Sequence, residues 1–179
     1  MTPAEYVQLK AFARVDGAKV AVLWICSFAF YVIGLNTPLY AIVALLLMVV
    51  TPFFVARKLR RFRDEDLNGV ISLLRGWAFF ILVFFYASIL LALAQYVYFA
   101  YMDNGYLLSM FSKTISSAEA KQALEQTGMM QQVTESLKQM AAMRPIDYAL
   151  NVLTMNITIG IVLGLPVAAL MRREVRVNS

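Results

Sequence analysis

Asn156, Gly160, Gly164 and Ala168 recur at four-residue spacing near the end of the chain. On a helix that spacing places them in one line, because residues four apart share a face. Inside a bilayer the chemistry of such a line is association. Small residues let two helix backbones approach closely, and an Asn side chain can hydrogen-bond across the contact. Packing within one copy is the first reading of this face, ahead of a seam between two copies and of a ligand or transport site. Gln95, Asn151, Thr154 and Asn156 fall at comparable depth in the outer halves of two apolar runs, so they could also line a small polar cavity. Read as glue between helices, neutral amides of this kind are worth about 0.5–2 kcal/mol each.

Other chemistry is poorly provided for. The chain has no histidine and one cysteine, Cys26. That excludes an intramolecular disulfide, a Ser-His-Asp or Cys-His arrangement and an ordinary zinc site. The carboxylates Asp103 and Asp147 flank a polar stretch, but nothing in the sequence pairs them. No Asp, Glu, Lys or Arg falls in the middle of an apolar run, and Arg75, near one end, can snorkel. Proton-coupled export needs an intramembrane carboxylate and thiol oxidation needs cysteine pairs, so both are disfavoured. The expectation is a non-enzymatic protein with no cofactor and no metal.

The elements that must position these residues follow from composition. Of 179 residues, 61% are hydrophobic and only 15% charged, and the mean hydropathy is +0.68; soluble domains carry about 25% charged residues. Four apolar runs, at about 19–35, 39–56, 76–102 and 148–171, are long enough or nearly long enough to cross a bilayer. They predict an all-α membrane domain over 1–179, with short amphipathic helices in its long polar loop. Thr2-Pro3-Ala4-Glu5 is a helix start. The stretch after it, with Tyr6, Leu9, Phe12 and Ala13 near one face, is either a helix in the headgroup plane or the first turns of the first span. Cys26 reads as a packing residue. Asn36-Thr37-Pro38 is a turn, and Pro52 should kink the second span. Asp64-Glu65-Asp66 should open the third helix, where the positive dipole end favours anions. Tyr96, Tyr98, Phe99 and Tyr101 mark a membrane–water interface.

In residues 103–147, Ser116-Ser117-Ala118-Glu119 reads as a capping box for a helix to about Thr127, with Gly128 as its stop. A second helix over 129–143 places Met130, Val133, Leu137 and Met140 on one face. That Met-rich pair could lie on the membrane surface or offer a docking surface.

Charge sets the orientation. Lys10, Arg14, Lys19, Arg57, Lys58, Arg60, Arg61, Arg63, Arg75, Arg172, Arg173 and Arg176 fall on one side, 12 of the 16 basic residues. The stretch 103–147 holds four bases against five acids. The positive-inside rule places both termini and the basic loop 57–66 in the cytoplasm and 103–147 outside. Arg57, Lys58, Arg60, Arg61, Arg63, Arg172 and Arg173 then meet anionic headgroups of the lipid bilayer, which accounts for the net charge of +5 without nucleic acid.

Three stretches carry a family resemblance. They are Phe62-Arg63 through Gly69-Val70-Ile71, Tyr96-Val97-Tyr98-Phe99-Ala100-Tyr101-Met102-Asp103, and Pro145 through Gly160 and Gly164 to Ala169-Leu170-Met171-Arg172-Arg173. With them the chain resembles an uncharacterised family of small bacterial four-helix membrane proteins, the DUF4199-type domain of unknown function. The resemblance implies a bacterial protein with four spans and brings no substrate, cofactor or catalytic residue; with the charge pattern, the expected location is the bacterial inner membrane, with 103–147 in the periplasm. The expected role is an accessory, scaffold or envelope component with a membrane-protein partner or a second copy of itself. The alternative is a small-solute channel or facilitator formed as an oligomer.

Overall fold

The computed structural model describes residues 1–173; Arg176, counted above with the basic tail, lies outside them. The fold is all-α. Its helices are α1 (Pro3–Gly34), α2 (Pro38–Arg61), α3 (Leu73–Tyr101), α4 (Tyr106–Ile115), α5 (Ala118–Gln126), α6 (Met130–Ala142) and α7 (Pro145–Met171), and a π-helical turn, Phe62–Asp66, continues α2. Four of them, α1, α2 with its π turn, α3 and α7, are long and apolar enough to cross a membrane. The described residues fall into two compact units, Met1–Leu93 with the residues from Asn151 onward, and Ala94–Leu150.

In the first unit α1 begins at the capping box: the Thr2 hydroxyl accepts from the Glu5 N–H, and the Glu5 carboxylate accepts from the Thr2 N–H at 2.7 Å. It then runs unbroken to Gly34, about 48 Å at 1.5 Å per residue. The amphipathic start is therefore the first turns of this helix. Its Leu9 and Ala13 are already fully buried.

The core is built on α3. Phe79, Phe80, Val83, Phe84 and Ala87 are all buried. In its apolar stretch 44% of residues are buried, against 17% for α2, so α3 is the centre and α2 the periphery. Two bonds tie α2 to α1: the Trp24 indole N–H donates to Thr51 Oγ1 at 3.0 Å, and the Ser27 hydroxyl to the Ala44 carbonyl at 2.9 Å. Trp24 also meets Phe84 edge-on at 5.2 Å. With Trp24 and Ser27 turned inward, Cys26 falls outside. It is exposed, which corrects its reading as a packing residue.

Two further expectations change. Asp64, Glu65 and Asp66 do not open the third helix. They close the second, because Arg60–Asp64 and Arg61–Glu65 pair one turn apart and carry the helical winding past Arg61. The chain then reverses at Asn68 and Gly69, both at positive φ, and α3 begins at Leu73. Arg75 does not snorkel either: its side chain is 12% exposed and held by α1.

In the second unit the cap of α5 is Ser117, one residue beyond the expected one, and its hydroxyl accepts from the Ala120 N–H. Gly128 (φ 68°) ends the turn after α5. On α6, Met130, Val133, Leu137 and Met140 form the half-buried face while their neighbours are exposed. The extra helix, α4, starts where the buried Asp103 carboxylate accepts from the Leu107 N–H at 3.1 Å. Phe99 stacks on Tyr148 at 4.4 Å, and the Tyr148 hydroxyl donates to the Met140 carbonyl.

Close approach in the first unit is measurable. A Cβ added to Gly17 would lie 2.8 Å from Tyr86 Cβ and 2.9 Å from the Val83 carbonyl oxygen. Gly17→Val should therefore destabilise the protein by about 1–3 kcal/mol. Cys26→Ser, at an exposed site, should stay within about 0.5 kcal/mol of the parent. Thermal unfolding in detergent compares the two.

Candidate functional site

Every member of the four-residue line on α7 points inward. Asn156 and Ala168 are 5% and 1% exposed, and Gly160 and Gly164 are buried with them. The glycines lie on α3. A Cβ at Gly160 would be 2.6 Å from Phe84 Cβ, and one at Gly164 would be 3.1 Å from both Phe80 Cβ and Trp77 Cδ1. One turn further, Ala168 Cβ lies 3.3 Å from where a Cβ of Gly76 would stand. The Trp77 indole N–H donates to the Ile161 carbonyl at 2.9 Å, a direct bond between the two helices.

The polar residues behave differently. Asn151 and Thr154 lie on exposed positions of α7 while Asn156 is buried, so these three do not share a face. Gln95 belongs to the second unit. It is 6% exposed, and its Oε1 has no hydrogen-bond partner among the described residues. The two loop carboxylates are occupied. Asp103 holds the start of α4, and Asp147 clamps Arg144 through its backbone N–H at 2.9 Å and its guanidinium at 3.0 Å. That hydrogen bond raises the Arg144 pKa further above its usual value.

A second polar constellation lies where α1, α2 and α3 carry their charges. Asp16 of α1 is 8% exposed. Its carboxylate is 2.8 Å from Lys19 Nζ and 3.7 Å from Lys58 Nζ of α2. The Arg75 guanidinium donates to Glu5 at 3.2 Å and to Gln8 at 3.0 Å. Arg63 is 7% exposed. Its Nη1 donates to the Met171 carbonyl at 2.9 Å, and its Nε to Asp64 at 2.7 Å. Beside it Ile71 and Arg173 exchange two backbone hydrogen bonds at 3.0 and 3.1 Å. The basic loop thus divides in use. Arg57, Arg60 and Arg61 are exposed, whereas Lys58 is half-buried and Arg63 buried. Arg172, like Arg173, is exposed.

Asp16 was not among the residues singled out from sequence, although a signal existed. Leu9, Ala13, Gly17, Val20, Ala21 and Trp24 form the inward stripe of α1, and Asp16 falls within it. An acid on an apolar stripe has to be paired.

The stretch from Asp16 to Arg173 takes in these contacts except those of Arg75 with Glu5 and Gln8, and a family matches over that stretch. The chain belongs to the DUF4199 family. The match covers residues 16–173, and the family is described as a protein of unknown function. No curated protein and no solved structure matches the chain. In this DUF4199 protein the line on α7 and the Asp16 and Arg63 contacts are therefore read from their own geometry.

Two expectations follow. Arg63→Ala leaves the Met171 carbonyl without its charged donor, at a cost of about 1.5–3 kcal/mol. It should also raise amide exchange at Ile71 and Arg173, read by hydrogen–deuterium exchange, while Arg63→Lys recovers part of the protection. Gly164→Leu should lower the melting temperature or the cellular protein level. Unchanged level, melting and oligomeric state would show that this face tolerates bulk.

Proposed function

We propose that this DUF4199 protein is a non-enzymatic integral membrane protein of the bacterial inner membrane that serves as an accessory, scaffold or envelope component. Both termini lie in the cytoplasm and residues 103–147 face the periplasm. Arg57, Lys58, Arg60, Arg61, Arg63, Arg172 and Arg173 set that orientation, and the exposed members of the set meet anionic headgroups. Asn156, Gly160, Gly164 and Ala168 act in helix packing, and the loop 103–147 meets the partner. The observation that carries this reading is how the polar groups of the four long helices are used: Trp24 with Thr51, Ser27 with Ala44 and Arg63 with Met171 in the interior, and Trp77 with Ile161 at the surface, all join one helix to another.

A mild-detergent pull-down from native membranes with quantitative mass spectrometry tests the role. A partner recovered at constant stoichiometry supports it; recovery of the protein alone argues for the second reading. Orientation is tested in a Cys26→Ser background by labelling Ala123→Cys and Arg60→Cys with an impermeant maleimide on spheroplasts. Ala123→Cys should label and Arg60→Cys should label only after lysis, and the reverse order would overturn the assignment.

The second reading is a small-solute channel or facilitator formed as an oligomer, with Asn151 and Asn156 of the first unit along the path. The exposed amide of Asn151 on an apolar helix favours it. Liposome flux that Asn156→Leu abolishes would support it, and flux indifferent to that change would remove the residue from the path.

A further inference from the structure

A cavity of about 450 Å³ opens in the first unit between the first half of α1 and the end of α2 with its π turn, a volume typical of small-ligand sites. Its wall is apolar, formed by Phe12 and Val15 of α1 and by Phe62 of the π turn; its rim carries Asp16, Lys19, Lys58, Arg61, Glu65 and Asp66. The rim sums to zero charge, but it is not made of three neutral pairs. Asp16 alone serves both Lys19 and Lys58, at 2.8 and 3.7 Å. That half is left one positive charge in excess. Arg61 is taken by Glu65 at 2.7 Å, and Asp66 forms no ion pair among the described residues. The other half is left one negative charge in excess.

A ligand matched to this rim carries an anion and a cation on one small frame. We propose that the cavity binds the headgroup of a phosphatidylethanolamine molecule, its phosphate at Lys19 and Lys58 and its ammonium at Glu65 and Asp66. Charge selects the headgroup. A phosphatidylglycerol offers nothing to the acidic half and is repelled by it. A phosphatidylcholine carries the positive charge but has no N–H to donate, whereas a primary ammonium has three. The apolar wall selects a lipid over a free zwitterion. Val15 is 54% exposed, and Val22, two turns further along the same face of α1, is 63% exposed, so an apolar strip leads away from the cavity along the helix. This inference rests on the membrane-spanning fold and is independent of whether a partner protein exists.

The test is native mass spectrometry of the full-length protein in detergent, titrated in turn with dioleoyl-phosphatidylethanolamine, -phosphatidylcholine, -phosphatidylglycerol and free phosphoethanolamine. A single phosphatidylethanolamine adduct should persist at the lowest concentration. Lys19→Gln and Asp66→Asn, both at accessible positions, should each weaken it by about tenfold, the effect of losing one charge-assisted hydrogen bond. Neither change should weaken phosphatidylglycerol adducts, which form on the exposed arginines. Melting of each lipid-free variant checks its fold, so a variant that fails to fold leaves the other to decide. Equal retention of phosphatidylcholine, adducts that survive both substitutions, or equal binding of free phosphoethanolamine would each overturn the proposal.

Discussion

The bundle depends on how near other helices can come to α3. In lipid, burying one leucine against another gains little, because the acyl chains it leaves are equally apolar; contact must come from dispersion at short range and from hydrogen bonds between helices. The bulky side chains are concentrated on α3, where Phe79, Phe80 and Phe84 are buried. The partners therefore supply the room. Gly17 on α1 and Gly160 and Gly164 on α7 each stand where a methyl group would collide with α3 or nearly so. Rings on one helix against bare backbone on another is the complementarity that the remaining contacts extend.

Charge is the second organising element, confined to one end of the first unit. Its cations have two uses. Arg57, Arg60 and Arg61 are exposed, while Lys58, Arg63 and Arg75 turn inward to groups on other elements. The inward set is costly to desolvate, and each member is compensated by a carboxylate, a carbonyl or an amide. Arg63 and Arg75 join segments far apart in sequence, whereas Arg60 and Arg61 only pair one turn along their own helix.

Much of this was legible in the chain. Span positions follow from apolar length, and the inward line on α7 follows from a four-residue repeat, since both are properties of a helix taken alone. What was missed depends on two segments at once. That Asp64–Asp66 close one helix instead of opening the next is decided by bases four residues earlier competing with the dipole of α3. Cys26 faces out because Trp24 and Ser27 find partners on α2. Asp16 stands out on the apolar stripe of α1, but its second partner, Lys58, comes from another helix. Two or three short helices are expected in the polar loop, but α4 could not be placed because ten residues give too short a periodic signal, and its start is fixed by a carboxylate, Asp103, that reads equally well as the end of α3.

The bond from Arg63 to the Met171 carbonyl has a consequence for the order in which the protein is completed. Its two residues are 108 positions apart, so on a growing chain the guanidinium exists long before its acceptor. Until the final helix is in place, a cation that ends up 7% exposed must stay hydrated or rely on Asp64 alone. The last turn of α7 is thus the closing piece of the first unit, and a chain cut short before Met171 would lose both a stretch of helix and the group that lets an interior arginine remain dry.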